Sequence, residues 1–105
     1  MYMYYRYTLF MIRSFADKDT EKIFHQEFCK RIPRSICKVA LRKLMMIDAV
    51  STLGDLKAPP GNRLEALAGD KNGKWSIRIN DQWRIVFVPT SGGSDYEDVE
   101  IIDYH

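Results

Sequence analysis

Apolar and polar residues alternate with a period of two between residues 75 and 88, and this alternation is the strongest constraint on the fold. The apolar members, on both sides of a polar turn, are Trp75, Ile77, Ile79, Trp83, Ile85 and Phe87. Successive side chains of a β-strand point to opposite faces of its sheet, so the pattern indicates strands buried on one face. We therefore predict an antiparallel β-hairpin with one apolar face and one polar face.

The polar turn at residues 80–82 fixes the register of this hairpin. A loop with an odd number of residues places Ile79 opposite Trp83, so that the apolar faces of both strands coincide. The same register places Arg78 opposite Arg84, and like charges in directly opposed positions destabilise a sheet. A fold can tolerate such a pair if an anion lies over the two guanidinium groups.

The chain before the hairpin predicts a short strand and a first helix. The strand is Met11–Phe15, and a carboxylate of Asp17 or Asp19 can cap the helix that follows by accepting from its free N–H groups. The buried stripe of this helix is predicted to contain Ile23, Phe24 and Phe28.

A second helix follows directly. Pro33 ends the first helix and suits the first position of the second, which is predicted to run to about Val50. Its inward-facing residues are predicted to be Ile36, Val39, Ala40, Leu44 and Ile47. A third strand of the meander is predicted over Tyr96–Tyr104. Helices grouped before the main sheet predict an α+β fold, with two N-terminal helices packed on one face of a small, mainly antiparallel sheet.

The length and composition of the chain set its class. Its 105 residues suffice for one domain, which we assign to residues 11–105, and the tyrosine-rich residues 1–10 are predicted to be a dispensable extension. No apolar run approaches the roughly 20 residues that a membrane span requires. We interpret Cys29 and Cys37 as reduced core thiols of a cytoplasmic protein. No metal and no small-molecule cofactor is predicted, because no cysteines, histidines or carboxylates have the spacing of a metal site.

The net charge of +2 conceals an asymmetry along the chain. Residues 30–43 contain six basic residues and no acid, whereas residues 95–103 contain five acids and no base. Arg34, Lys38 and Arg42 share the face of the second helix that lies opposite its apolar side. This face is either simply solvated or a footprint on a phosphate backbone, and the lack of an interleaved acid favours the footprint.

Three separated segments carry a resemblance to a known family: PPGNRLEALAGD, WSIRINDQWRIVF and the ending DVEIIDYH. Together they resemble the HigB branch of the RelE/ParE superfamily of bacterial toxins, over residues 11–105. The resemblance implies a RelE-like fold and an endoribonuclease, an mRNA interferase that cleaves messenger RNA on the translating ribosome. It also implies a cognate partner, a HigA-like helix-turn-helix antitoxin.

The resemblance also implies which positions are functional. The family's catalytic positions fall on Arg84, Asp103, Tyr104 and His105. The chain has Glu65 where some relatives have histidine, and Ala68 where many have a lysine that contacts RNA. Lys71 and Lys74, just downstream, can compensate for that missing lysine. We expect RNA or ribosome contacts from Arg34, Lys38, Arg42, Lys71, Lys74 and Arg78.

The chemistry of RNA cleavage gives each of these residues a role. The 2′-hydroxyl must lose a proton, the phosphorane must be stabilised, and the leaving 5′-oxygen must gain a proton. His105 is predicted to be a general acid or base, because histidine transfers protons near neutral pH. Arg84 is predicted to stabilise the phosphorane through charge-assisted hydrogen bonds. Asp103 is predicted to orient His105 or act as the base, and Tyr104 to stack on an unpaired RNA base.

Two other functions stay open at this point. A ParE-like toxin that inhibits gyrase without catalysis has the same superfold, and one fold can serve several functions. A plain RNA- or ribosome-binding module would account for the basic helix, but it leaves the Asp-Tyr-His ending unexplained.

Overall fold

A four-stranded antiparallel sheet carries two helices on one face in the computed structural model, which describes residues 11–68 and 73–104. The helices are α1 (Lys18–Phe24) and α2 (Arg34–Ala49). The strands lie in the order β1 (Glu65–Ala66), β2 (Trp75–Arg78), β3 (Trp83–Thr90) and β4 (Asp95–Asp103). Short 3-10 turns occupy Leu53–Lys57, Pro60–Asn62 and Ser91–Gly93. The predicted fold class is therefore confirmed.

The register of the central hairpin is the predicted one. Arg78 lies opposite Arg84, and each neighbouring pair follows the same odd-loop register. The side-chain oxygen of Asn80 accepts hydrogen bonds from the backbone N–H groups of Gln82 and Trp83, both at 2.8 Å. An asparagine side chain that bonds its own backbone two or three residues on stabilises a tight turn, so the sequence of the loop locks the register.

The core lies between α2 and the helix-bearing face of the sheet. Its fully buried members include Ala40, Leu44, Ile47, Ile77, Ile85, Phe87, Val99 and Ile101. These residues have the 3.6-residue period of a helix in α2 and the two-residue period of strands in the sheet, as the sequence predicts. Pro33 is the N-cap residue of α2, one position before the first helical position that was predicted for it.

The first helix is shorter than predicted. Asp17 caps it by accepting from the N–H of Thr20 at 2.6 Å, but it ends at Phe24 because Gln26 adopts a left-handed backbone conformation with φ 63°. Phe28 consequently lies outside the helix, with 61% of its surface exposed, so its predicted place in the buried stripe was wrong. No glycine or proline marks this helix end, and the sequence therefore gives no stop signal before Pro33.

The predicted first strand is also replaced by a looser arrangement. Residues 11–16 run beside β4, but they form only two isolated parallel bridges, at Ile12 and Phe15. Between the bridges, Asp98 has φ 52° and its N–H bonds the Ser14 side chain at 2.9 Å, so a continuous ladder is interrupted. The two-residue edge strand β1 was also not predicted from the sequence. The predicted extension, residues 1–10, lies outside the described residues.

No helix in the described part of the chain is long and apolar enough to cross a membrane. Cys29 and Cys37 are free thiols. Cys29 lies in the core as predicted, whereas Cys37 is only partly buried, and that burial raises the pKa of Cys37.

The turn between β3 and β4 offers a matched pair of glycines for testing the packing. A Cβ atom on Gly93 (φ +99°) would lie 2.3 Å from the backbone nitrogen of Leu53, whereas one on Gly92 (φ +71°) meets nothing within 4 Å. Alanine at either position carries the strain of a left-handed backbone, about 1–2 kcal/mol. We expect Gly93→Ala to lower the free energy of unfolding by a further ~1–3 kcal/mol, because it also overpacks the turn. Urea denaturation of both variants checks this, and equal losses would contradict the contact with Leu53.

Candidate active site

An open cleft of about 270 Å³ lies at the end of the β2–β3 hairpin. It is lined by Arg63, Glu65, Arg78, Asn80, Asp81, Arg84 and Tyr104. Three arginines and two carboxylates line the cleft, so its net charge is positive. A positive cleft of this size can hold a phosphate group with part of its nucleotide.

Arg84 forms the floor of the cleft and is the most firmly held of these residues. It is only 7% exposed, and its Nε donates to the Ser76 hydroxyl oxygen at 2.8 Å. Its Nη2 donates to the backbone carbonyl of Arg63 at 2.7 Å. Among the described residues, none accepts a hydrogen bond from Nη1. The guanidinium is thus fixed on one side and keeps donors for a ligand on the other.

The acceptors that hold Arg84 come from two separate parts of the sequence. Ser76 is one residue of β2 on the polar face, and it is fully buried. Arg63 ends the Pro60–Asn62 turn in a left-handed conformation, with φ 45°, which helps aim its carbonyl at Arg84. The hairpin supplies one contact and the loop before β1 supplies the other.

A buried polar cluster ties that loop to α2. Asn62 is fully buried, and its amide nitrogen donates to the carbonyls of Leu56 at 3.1 Å and Ala58 at 3.3 Å. Its amide oxygen accepts from the Lys43 ammonium group, which is 6% exposed. Burial, with the nearby charges of Arg42 and Arg78, lowers the pKa of Lys43. No local pattern identifies Lys43 as a buried residue, since it lies within the basic run of residues 30–43.

The charges around Arg84 are only partly compensated. Arg78, directly opposite on β2, forms an ion pair with Asp81 in the turn. The carboxylate of Glu65 lies 3.8 Å from Arg84 Nη2, which is too far for a hydrogen bond, and its side chain is 52% exposed. Each of the two arginines therefore has its own acceptor groups, which reduce the predicted repulsion between them. An anion can still lie over the pair.

Tyr104 covers the other side of Arg84. Its ring centroid lies 5.6 Å from the guanidinium carbon of Arg84, within the range of a cation–π contact. The ring is partly exposed, and the Tyr104 N–H donates to the carbonyl of Gln82 at 2.6 Å. The cleft therefore combines a fixed guanidinium with an accessible aromatic ring.

Asp103 lies away from the cleft. It is opposite Trp83 in the sheet, so its side chain leaves the sheet on the helix-bearing face rather than on the face of Arg84. Its carboxylate accepts from the Gln82 side-chain amide at 3.1 Å. The structure thus brings Arg78, Arg84 and Tyr104 together and separates Asp103 from them. The predicted residues His105 and Lys71 lie outside the described residues.

The other predicted basic contacts lie elsewhere on the surface. Arg34, Lys38 and Arg42 are all exposed on α2, and the guanidinium of Arg34 lies 5.3 Å from the Phe28 ring centroid. Lys74 precedes β2 without lining the cleft. Sequence reasoning missed Arg63 as a cleft residue and Ser76 as the buried partner of Arg84, although the alternation of β2 already places Ser76 on the face of Arg84. Within the described part of the chain, no three histidine, cysteine or acidic side chains group to hold a metal ion.

The contacts of Arg84 determine what its removal is expected to do. Arg84→Ala leaves the Ser76 hydroxyl and the Arg63 carbonyl without their partner, and an unsatisfied buried group costs about 1–3 kcal/mol. We expect that loss of unfolding free energy in spite of the relieved repulsion with Arg78. Arg78→Ala is the control, because its partner Asp81 is almost fully exposed and the change should stay within about 0.5 kcal/mol. Denaturant titration that finds Arg84→Ala as stable as the parent would contradict the structural role of these hydrogen bonds.

Comparisons with known proteins all indicate the same family. Residues 13–105 match the family described as RelE-like toxin of type II toxin-antitoxin system HigB. Toxin HigB-1 of Vibrio cholerae is 42% identical over 78 residues, which cover 73% of this chain and 82% of that protein. Endoribonuclease HigB of Proteus vulgaris is 30% identical over 95 residues, which cover 90% of this chain and 100% of that protein.

Solved structures agree in fold. The RelBE2 toxin–antitoxin complex of Mycobacterium tuberculosis contains a chain with a TM-score of 0.52 and 14% identity, covering 92% of this chain and 99% of that chain. A YoeB/ParE toxin from Agrobacterium tumefaciens has a TM-score of 0.50 and 21% identity, covering 90% and 98%. At these identities the likeness shows the fold alone. With the family match across almost the whole chain, these findings show that this protein belongs to the HigB-like, RelE-like toxins of type II toxin–antitoxin systems.

Proposed function

We propose that this chain is an endoribonuclease toxin that cleaves messenger RNA on the translating ribosome, in the cytoplasm, without a metal or cofactor. The observation that carries the proposal is the buried guanidinium of Arg84. It is fixed by Ser76 and Arg63 and opens onto a positive cleft beside the ring of Tyr104. The Proteus vulgaris relative, which the match covers in full, is named an endoribonuclease and supports the activity.

The cleft has the parts that phosphoryl transfer needs from a protein. Arg84 Nη1 and the guanidinium of Arg78 can bind the non-bridging oxygens of the scissile phosphate, and they stabilise the charge that develops there. Because Arg84 is already held by two hydrogen bonds, little reorganisation is needed when the phosphorane forms. Tyr104 can stack on an unpaired base of the RNA, a contact worth about 1–3 kcal/mol.

The remaining predicted residues take roles at the end of β4. We propose that His105 is the acid that protonates the leaving 5′-oxygen. Asp103 acts as a positioning residue, because it bonds the side chain of Gln82 while the Gln82 carbonyl accepts from the N–H of Tyr104. This pair of hydrogen bonds fixes the strand end from which Tyr104 reaches Arg84.

A toxin of this class has an antitoxin partner, and the Mycobacterium tuberculosis relative in fold was solved as a toxin–antitoxin complex. We propose a HigA-like helix-turn-helix antitoxin as that partner. The proposal predicts that the purified antitoxin suppresses message cleavage at equimolar amounts. Cleavage that continues unchanged in its presence would contradict the assignment.

The basic face of α2 is proposed to contact ribosomal RNA. Replacement of Arg34, Lys38 and Arg42 together by glutamine should keep the fold, since all three are exposed. We expect weaker binding to ribosomes and a flatter dependence on salt, because fewer phosphate contacts release fewer counterions. Sedimentation with ribosomes at increasing salt measures both, and an unchanged salt slope would identify the face as merely solvated.

The target is tested by mapping message ends after a brief pulse of expression. The parent chain should halt protein synthesis and leave new internal ends in translated messages. His105→Gln should leave messages intact, because glutamine can hydrogen-bond but cannot transfer a proton in this range. Its thermal unfolding midpoint should stay within a few degrees of the parent, which separates lost chemistry from lost folding. Intact messages with accumulated gyrase–DNA breaks would instead indicate a ParE-like toxin.

A further inference from the structure

Two buried polar side chains behind the cleft have no part in the mechanism above. Lys43 of α2 donates to the amide oxygen of Asn62, and neither side chain lines the cleft. We propose that Lys43 and Asn62 are positioning residues of the nuclease, which act on the scissile phosphate through Arg63 and Arg84. The inference rests on the proposed nuclease function and assigns residues that set the rate of its chemical step.

The path from Asn62 to the phosphate site is short. Asn62 ends the turn Pro60–Asn62, and the next residue, Arg63, has a left-handed backbone with φ 45°. The carbonyl of Arg63 accepts from Nη2 of Arg84 at 2.7 Å. A displacement of Asn62 is therefore passed through a single residue to an acceptor that orients the guanidinium.

Asn62 is held by the loop before it and by α2. Its amide nitrogen donates to the carbonyls of Leu56 at 3.1 Å and Ala58 at 3.3 Å, and it lies 3.2 Å from the sulfur of Met46 in α2. Its amide oxygen accepts from the ammonium group of Lys43. Because α2 packs its apolar side on the sheet, this donor stands on a rigid element. A group supported by a packed helix keeps its position more closely than one supported by a loop.

The burial of Lys43 is costly, and packing alone does not require it. Lys43 is 6% exposed, and within residues 11–68 and 73–104 it forms no ion pair with a carboxylate. A methionine would fill a similar volume without the cost of burying a charge. An ammonium group donates but cannot accept, so it fixes the amide of Asn62 with its oxygen towards Lys43 and its nitrogen towards the carbonyls. We attribute the burial to the need for a fixed turn beside Arg84.

Loss of this support should reduce the rate of cleavage more than the affinity for ribosomes. Ser76 pairs with Val86 in the same hairpin as Arg84, so its contact with Nε of Arg84 survives. The Arg63 carbonyl comes from outside the hairpin, and the guanidinium can turn about its remaining contact when that carbonyl moves. A misplacement of about 1 Å at a reacting group can cost 10²-fold in rate. The basic face of α2, which is proposed to bind ribosomal RNA, stays unchanged.

The test compares Lys43→Met, Lys43→Arg and Asn62→Leu with a control, Lys57→Met, which removes an exposed ammonium group from the turn Leu53–Lys57. Single-turnover cleavage of a messenger is measured in a purified translation system at saturating protein, with ribosome binding and urea denaturation in parallel. Lys43→Met and Asn62→Leu should lose roughly 10- to 10²-fold in rate with unchanged binding. Lys43→Arg should stay within about threefold of the parent, because a guanidinium also donates to the amide oxygen. Lys57→Met should match the parent.

A double variant separates position from stability. Removal of one partner leaves the other buried and unpaired, whereas removal of both with apolar side chains of similar size is closer to neutral. Lys43→Met combined with Asn62→Leu should therefore have a higher urea midpoint than Asn62→Leu alone, and yet cleave as slowly. A rate that recovers together with the stability would show that the two residues only maintain the fold.

A sulfur atom at a non-bridging position of the scissile phosphate reports on Arg84 directly. Sulfur accepts hydrogen bonds more weakly than oxygen, so this substitution in a synthetic messenger should slow the parent where Arg84 donates to that position. The slowing should be smaller in Lys43→Met, because a misplaced guanidinium has less stabilisation to lose. A loss of folding alone would reduce the amount of active protein and leave the effect of sulfur unchanged.

Two further outcomes would overturn the assignment while leaving the nuclease function in place. The first is a parental rate in folded Lys43→Met, and the second is an effect of sulfur as large in that variant as in the parent. A parent chain that leaves no new message ends at all would instead remove the proposed function, and the inference with it.

Discussion

The cross-strand pair of Arg78 and Arg84 is the constraint on which the site depends. The odd turn at Asn80 brings the apolar faces of β2 and β3 together, and the same register forces two cations into directly opposed positions. The two arginines resolve the repulsion differently. Arg78 turns to Asp81 in the loop, whereas Arg84 is buried against Ser76 and the Arg63 carbonyl. A buried cation held by neutral acceptors retains most of its charge for a ligand.

The support of Arg84 extends back to α2. Lys43 donates to Asn62, Asn62 donates to the carbonyls of the preceding turn, and Arg63 follows directly with a left-handed backbone. Because Lys43, Asn62 and Leu56 are buried, the turn that ends at Arg63 is tied to the core, and the position of the Arg63 carbonyl is set by these contacts. Lys43 itself is paired with an amide, so its burial adds positive potential behind the cleft instead of cancelling it.

The sequence predicted those features of the structure that a local pattern determines, and it did not predict those that depend on tertiary contacts. The register of Arg78 and Arg84 followed from alternation and loop parity, and α2 followed from its apolar period and Pro33. The end of α1 did not, because the left-handed Gln26 has no local signal. The two-residue alternation of β4 also predicts where Asp103 lies. Asp103 is adjacent to Tyr104 in the chain, so its side chain is on the opposite face of the sheet. The prediction that placed Asp103 and Tyr104 in one site assumed that residues adjacent in the chain are also adjacent in space. The carbonyl of Arg63 could not be foreseen, since it depends on a turn held by tertiary contacts.

The charge balance of the cleft separates binding from chemistry. Glu65 places a negative charge beside Arg84, and the exposed Ala68 after β1 adds no positive charge, so the cleft alone attracts RNA only modestly. On the proposed function, affinity must then come from a surface outside the cleft, and α2 presents Arg34, Lys38 and Arg42 without an exposed acid among them. Ribosome contacts made by that helix would hold the message in place through many weak, salt-sensitive interactions. The cleft is then free to contain a carboxylate, whose repulsion of phosphate would be too costly if the cleft also had to capture the RNA.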